Sequence, residues 1–335
     1  MKNKITLAHG AGAEVSRGFI KKTLLKYFKS KSLAELSDSA KIKINSKDIL
    51  FTTDSYVVNP VFFPGGNIGD LAVCGTVNDI SVSGGDIKYI SLGLIIEEGL
   101  DLKELEQILK AVALRAKEAG VEIVTGDTKV VERGGADKIF INTSGIGQAI
   151  ADATVKARNI KKGDKIIVSG NLAEHGISVM NERHKLGLKG LKSDVAPLNK
   201  ITKALFLKFD KDIHMTRDLT RGGLAGALKE IAEQAKKDIE LEESRVPLSK
   251  AVKGAVSILG VDPLQTANEG KFVCIADAKK AESVLKLLKT FAYGKDAKIC
   301  GTVLKTRKGR VYIKTPLGAS RALAEHEGSN LPRIC

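Results

Sequence analysis

The hydrophobic positions of this 335-residue chain change period repeatedly, and each change marks an element. Over residues 14–35, Phe19, Ile20, Leu24, Leu25 and Phe28 fall on one side of a helix. The runs IKI at 42–44 and DILFTTDSYVV at 48–58 read as strands. A Pro-Gly-Gly turn at 64–66 introduces a helix with Ile68, Leu71, Ala72, Val77 and Ile80 on its apolar face, stopped by Gly84-Gly85. YISLGLII at 89–96 is a strand. DLKELEQILKAVALRAKEAG at 101–120 is the clearest helix: Asp101 can cap it, Glu104 follows three residues on, and Gly120 ends it. EIVTGDTKVV at 122–131 reads as a strand running into a loop, and KIFINTSGIGQA at 138–149 as another strand.

A boundary falls near residues 148–160, where IKKGDKIIVSG restarts the strand–turn pattern. Helices are predicted over about 174–186 and 197–210, the second preceded by the polar, proline-containing SDVAPLN. MTRDLTRGG reads as a loop that opens the helix LAGALKEIAEQAK, and VPLSKAVKGAVSILG and AESVLKLLKTFA read as further helices. NEGKFVCIA is a strand, and KICGTVLKTRKGRVYIKTP reads as a hairpin turning at Lys308-Gly309. Strands and helices alternate in both halves, so the fold class is α/β (α+β), each half a sheet covered by helices. The expected division is an N-terminal loop and helix at 1–35, a first domain at 36–150, a second at 151–324, and a polar tail at 325–335 that buries little and is predicted to be mobile.

Composition narrows the function. The start MKNKITLAHGAG has no apolar core of a signal peptide, and no apolar run approaches the roughly 18 residues of a spanning helix, so a cytoplasmic protein without a membrane partner is expected. The formal charge of +15 comes mostly from lysines scattered over helix faces and turns. No recognition motif or aromatic-interleaved basic stretch accompanies them, which argues against a nucleic-acid partner. Cys74, Cys274 and Cys300 sit in or beside apolar runs and read as buried small hydrophobes.

The candidate chemistry has four parts. Asp38, Asp54, Asp70, Asp79, Asp127 and Asp218 stand near strand ends or beside glycine and threonine, where carboxylates hold Mg²⁺ together with phosphates. Glycine-rich turns (HGAGA, PGG, SGG, TGDT, RGG) offer backbone N–H groups to phosphate, without a P-loop or dinucleotide fingerprint. Lys129, Arg133, Arg217 and Arg221 are cations beside those loops, and His9 and His214 have the context of acid–base groups. The fourth is Cys335, the last residue, a thiol on a flexible segment suited to carrying a covalently held group between sites.

Together these segments resemble the HypE family of hydrogenase maturation factors, within the superfamily of aminoimidazole ribonucleotide synthetase and selenophosphate synthetase. The resemblance runs through LAHGAG at 7–12, FTTDSYVVNPVFFPGGNIGDLAVCGTVNDISVSGG at 51–85, SLGLIIEEG at 91–99, IVTGDTKVVERG at 123–134, INTSGIG at 141–147, RDLTRGGLA at 217–225, ANEGK at 267–271 and PRIC at 332–335. It implies a two-domain PurM-like fold whose N-terminal sheets pair into a shared barrel in a homodimer. It implies a carbamoyl dehydratase that accepts a carbamoyl group on the terminal cysteine from HypF and converts it with ATP to a thiocyanate. The cyano group then passes to iron held by HypC–HypD, for nickel–iron hydrogenase. Carried onto this chain, Asp38, Asp79 and Asp218 match Mg²⁺-holding positions, and Asp54 and Asn78 the phosphate region. Gly126, Asp127, Thr128 and Lys129 match the nucleotide loop, and Cys335 the carrier thiol. Lys129 would stabilise phosphate charge and Glu269 would act as base, with His214 the second candidate. Selenophosphate synthetase, thiamine-phosphate kinase and the purine synthetase share the aspartates but lack the terminal PRIC.

Overall fold

The computed structural model describes residues 4–9, 48–150, 155–306 and 308–323, with residues 15, 18–28, 30, 33, 39–40 and 42–44 between the first two stretches. The first sheet contains β1 (Ile49–Tyr56), β4 (Gly85–Glu97), β5 (Glu122–Val131) and β6 (Ile139–Ala149) in the order β1-β6-β4-β5. A two-residue ladder between β2 (Phe62–Phe63) and β3 (Gly66–Asn67) precedes the helix α1 (Ile68–Val82). The parallel pair β4–β5 is joined by the crossover helix α2 (Leu102–Ala119), as parallel pairing requires. Asp101 caps α2 by accepting the Lys103 N–H at 2.8 Å, and Gly120 closes it in the left-handed region at φ 73°. Glu104 is not part of that cap; it pairs with Lys138 at 3.0 Å. Leu105, Ile108, Leu109, Val112 and Ala116 form the buried stripe of α2, each larger side chain contributing about 1.5–3 kcal/mol.

Among the described residues, only one face of this sheet is covered. β1 alternates, with Ile49, Phe51, Thr53 and Ser55 exposed and Leu50, Thr52, Asp54 and Tyr56 turned toward α1. Phe51 is 67% exposed, and Ile95 on β4 is also exposed, so the uncovered face carries apolar groups. A polar ladder lies among them: the Asn142 amide donates to the Asp54 carbonyl at 2.9 Å and to Ser55 Oγ at 3.0 Å.

The second sheet has seven strands. They are β7 (Lys165–Val168), β8 (Ile213–Asp218), β9 (Ile239–Glu242), β10 (Phe272–Ala276), β11 (Lys298–Val303), β12 (Val311–Lys314) and β13 (Ser320–Ala322), ordered β13-β12-β9-β11-β7-β10-β8. Five helices accompany it: α3 (Glu174–Arg183), α4 (Asn199–Phe209), α5 (Gly223–Ala235), α6 (Lys250–Leu259) and α7 (Ala281–Leu288). Leu224, Leu228 and Ile231 of α5 pack on one face, while Leu205 and Phe206 of α4 and Val284 and Leu288 of α7 pack on the other. Residues of α3 and α6 form a smaller apolar cluster of their own. Cys74, Cys274 and Cys300 are all buried, and burial pushes their thiols up out of the reactive range.

The structure corrects several sequence expectations. TGDT does not leave the sheet; β5 continues to Val131 because it stays paired along β4 as far as Glu97. Residues 213–218 are a strand rather than part of a loop, since β10 pairs with Ile213 and with Met215–Asp218, with a bulge at His214 between them. The expected hairpin does not form: β9 lies between β11 and β12, with β12 parallel to it. Its turn at Gly309, φ 68°, is present but leads across to a different neighbour. IKI at 42–44 is not in a strand, and the described part of the expected 14–35 helix shows a π-helical turn at Ile20–Leu24. No described helix is long and apolar enough to cross a membrane.

Candidate functional site

The site forms where the edge strand of the first sheet meets the second domain. α1 is buried on nearly its whole circumference, because it lies under the first sheet on one side and against the second domain on the other. Asp79 is the one residue of α1 that keeps partial exposure, and it points toward β1, where the Thr52 hydroxyl donates to it at 2.9 Å. β8 runs into the same place and ends at Arg217 and Asp218. The chain then turns through Thr220 and Arg221 into α5, using Gly222 and Gly223 at φ 76° and 59°. A side chain at Gly223 would lie 2.6 Å from the Leu264 carbonyl, so only glycine makes that turn.

These elements enclose a cleft of about 340 Å³ lined by Asp54, Tyr56, Asp79, Asp218, Arg221 and Glu269, with Thr53, Ser55 and Arg217 at its walls. Asp54, Asp79 and Asp218, widely separated in sequence, are therefore neighbours. Burial, and next the Asp79 carboxylate, push the Asp218 carboxyl up to about 7, against the opposing pull of Arg217. Asp79 is also raised, by burial first and by Asp54; the Thr52 hydroxyl and Arg217 partly offset this. A hard divalent cation reverses such a preference for the neutral form, so the carboxylates present suit Mg²⁺. Among the described residues no set of three His, Cys, Asp or Glu side chains is grouped as a metal site. Asp38, the third expected ligand, lies outside the described residues, as does Cys335.

Glu269 reaches the cleft from the segment before β10, and it is 2% exposed. Tyr56 was not singled out by sequence reasoning. Its hydroxyl lies 3.2 Å from Thr76 Oγ1, and its ring occupies space that only Gly75 leaves open, since a Cβ there would sit 2.3 Å from the phenol oxygen. The glycine in the VCGTVND run was the only signal available.

Nine expected residues are elsewhere. Asn78 does not face the cleft. Its amide donates to the carbonyls of Ala196 (3.1 Å) and Glu269 (3.3 Å) and accepts the Leu198 N–H at 2.8 Å, joining the two domains. His214 is buried on β8, with Nδ1 2.7 Å from Asp164 Oδ2; its ring points into the second domain and away from the cleft. Asp127 and Lys129 form an exposed pair at 3.0 Å on the uncovered face of the first sheet, where Asp127 is in register with Gly93 and Lys129 with Ile95. Gly126 and Thr128 belong to the same stretch of β5, so one copy of the chain does not bring this loop to Asp79 and Asp218. Asp70 serves structure: it accepts the Asn67 N–H at 2.9 Å at the start of α1 and pairs with Arg115 at 2.8 Å. Arg133 lies against Gly99, and His9 bonds to Thr6, both away from the cleft.

Comparison with known proteins agrees with this architecture. Residues 36–149 match the AIR synthase related protein N-terminal domain, and residues 161–314 its C-terminal domain. The chain is 42% identical to carbamoyl dehydratase HypE of Escherichia coli over 339 aligned positions, covering 99% of this chain and 100% of that one. A crystal structure of hydrogenase maturation protein HypE in complex with ATP superposes with a TM-score of 0.94 at 42% identity, over 98% of this chain and 99% of that one. The structure of a HypE–HypF complex matches with a TM-score of 0.80 at 42% identity, over 94% of this chain and 100% of the other. With both domains matched and near-complete coverage at this identity, the chain belongs to the HypE family of carbamoyl dehydratases, with a two-domain PurM-like fold.

Proposed function

We propose that this protein dehydrates a carbamoyl group carried on Cys335 to a thiocyanate, at the expense of ATP. The observation that carries the reading is the meeting of Asp54, Asp79, Asp218 and Glu269 in one cleft, in a chain whose HypE relative is seen with ATP and whose sequence carries PRIC at 332–335. An amide oxygen is a poor leaving group. Transfer of the γ-phosphoryl group to it, releasing ADP and one nitrogen-bound proton, makes an O-phosphorylated thiocarbonimidate, S–C(=NH)–O–phosphate. Loss of phosphate with removal of the remaining nitrogen-bound proton then leaves the S–C≡N group. Mg²⁺, held by Asp79 and Asp218 with Asp38, would neutralise the phosphate charge. Asp54, Arg217 and Arg221 border the same region, where the two arginines suit phosphate oxygens.

Glu269 is the group that takes the nitrogen-bound protons. It is in the cleft and anchored by its backbone, whereas His214 is engaged with Asp164. The loop of Gly126, Asp127, Thr128 and Lys129 acts from the second copy of a homodimer: the uncovered apolar face that carries it supports such pairing, and Lys129 then reaches phosphate. The carbamoyl donor is HypF, the acceptor is iron on HypC–HypD, and the setting is the cytoplasm. Intact mass spectrometry after incubation with a carbamoyl donor and ATP tests this reading. The expected result is an adduct on the wild type that loses one water only with ATP, and none on Cys335→Ala. An unchanged adduct on Cys335→Ala would overturn it.

A further inference from the structure

We infer that Asp194, acting with Asn78, is a positioning residue that aims the Glu269 carboxylate into the cleft; this rests on the reading of Glu269 as the proton acceptor. The peptide of Glu269 is held at both ends. Its N–H donates to Asp194 Oδ1 at 3.1 Å. Its carbonyl accepts from the Asn78 amide at 3.3 Å and from the Ala196 N–H at 3.4 Å. The next residue lies directly on the Asp194 backbone and has to be glycine, because a Cβ on Gly270 would lie 1.9 Å from the Asp194 carbonyl oxygen. The Asp194 side chain, 1% exposed, is itself fixed from the other side by Lys271 Nζ at 3.1 Å, and the Lys271 stem crosses Gly170, where a Cβ would come within 2.9 Å of it. Asn268, on the other flank, donates to the Leu219 carbonyl at 3.0 Å and accepts the Ala173 N–H at 2.8 Å.

Two domains thus supply the anchors of one peptide: α1 gives Asn78, and the SDVAPLN segment gives Asp194. The carboxylate they hold is joined to that backbone through only the Cβ and Cγ of one side chain, so a shift of the backbone passes to it. A misplacement of about 1 Å costs on the order of 100-fold in rate. Asp194 touches none of the cleft-lining carboxylates, so its role is to fix where Glu269 stands.

The test uses carbamoylated full-length protein, single-turnover loss of water followed by intact mass, and ATP binding by calorimetry, for Asp194→Ala, Glu269→Gln and the double variant. The expected result is a fall of about 100-fold for Asp194→Ala with ATP affinity unchanged, and a double variant no slower than Glu269→Gln alone. A wild-type rate in Asp194→Ala, or losses that multiply in the double variant, would overturn the positioning role while leaving Glu269 as base. A wild-type rate in Glu269→Gln would overturn the base reading itself. Asp194→Asn, which keeps the side-chain volume, replaces the alanine variant if that one does not fold, and the same non-additivity is required of it.

Discussion

Asn78 Oδ1 accepts the backbone N–H of Leu198 at 2.8 Å, which ties α1 of the first domain to the start of α4 in the second. The same amide donates to Ala196 and Glu269, so all three contacts are interdomain and all are buried. Asn78→Ala leaves the Leu198 N–H without this acceptor, at a cost of about 1–3 kcal/mol for each buried group orphaned. Thermal denaturation should show a lower midpoint than wild type, and Asn78→Asp should not restore it, because a carboxylate cannot donate to the two carbonyls.

Asp79 and Asp218 are pressed toward neutrality by burial first, and next by Asp54 and by Asp79 respectively, so a bound cation changes them most. Asp79→Asn and Asp218→Asn should each weaken Mg²⁺-dependent ATP binding by about 10- to 100-fold, the equivalent of one charged contact. Asp79→Asn should keep its thermal midpoint, because the Thr52 hydroxyl still finds an oxygen acceptor. Calorimetric titration with ATP in Mg²⁺ gives both answers.

Phe51 is 67% exposed on the uncovered face of the first sheet, beside Ile49 and on the same side as the Asp127–Lys129 pair. Phe51→Glu should leave the folded monomer intact and shift the mass measured by light scattering from dimer to monomer. Dehydration should fall with it. A monomeric variant at full rate would show that the β5 loop of a second copy is not needed.

Burial alone would raise the Asp238 carboxyl, but the Thr306 hydroxyl and the N–H groups of Arg310 and Lys308, the latter two at 2.9 and 3.0 Å, hold it below the usual range. A depressed folded-state value means that its stabilisation is full above the unfolded value of about 3.9 and is lost as pH falls through the folded-state value. Asp238→Asn should cost about 1–3 kcal/mol at neutral pH. Urea melts at a series of acid pH values should show the gap to wild type closing below about pH 4.

Much of the fold is legible in local pattern. The helix at 102–119 declares itself by its stripe, its Asp101 cap and its closing Gly120, and the structure reproduces all three. The short strand Ile239–Glu242 does not declare itself, and missing it turned the 298–316 region into an apparent hairpin. A strand of four residues carries too little pattern to compete with a plausible turn at Lys308-Gly309. In the site, Asp54, Asp79, Asp218, Arg217 and Arg221 are legible by residue type and neighbours and Glu269 through the family resemblance, and the cleft gathers them. Tyr56 and Asp194 were not, because their importance lies in what they touch. Asn78, implied by the resemblance, and His214, read from its context, are residues that the fold engages in other contacts.

By itself the sequence determined the mixed α/β class, the elements with strong periodicity, the buried cysteines and the family, since these follow from local spacing and from motifs of adjacent residues. Tertiary structure decided which carboxylates share a cleft, which asparagine and histidine are consumed inside the core, and that Asp127 and Lys129 stand on the opposite face of the sheet. The reason is physical: periodicity encodes which side of an element is buried, whereas electrostatic coupling and hydrogen bonding depend on distances between segments remote in sequence, 50 residues apart for His214 and Asp164 and 191 for Asn78 and Glu269.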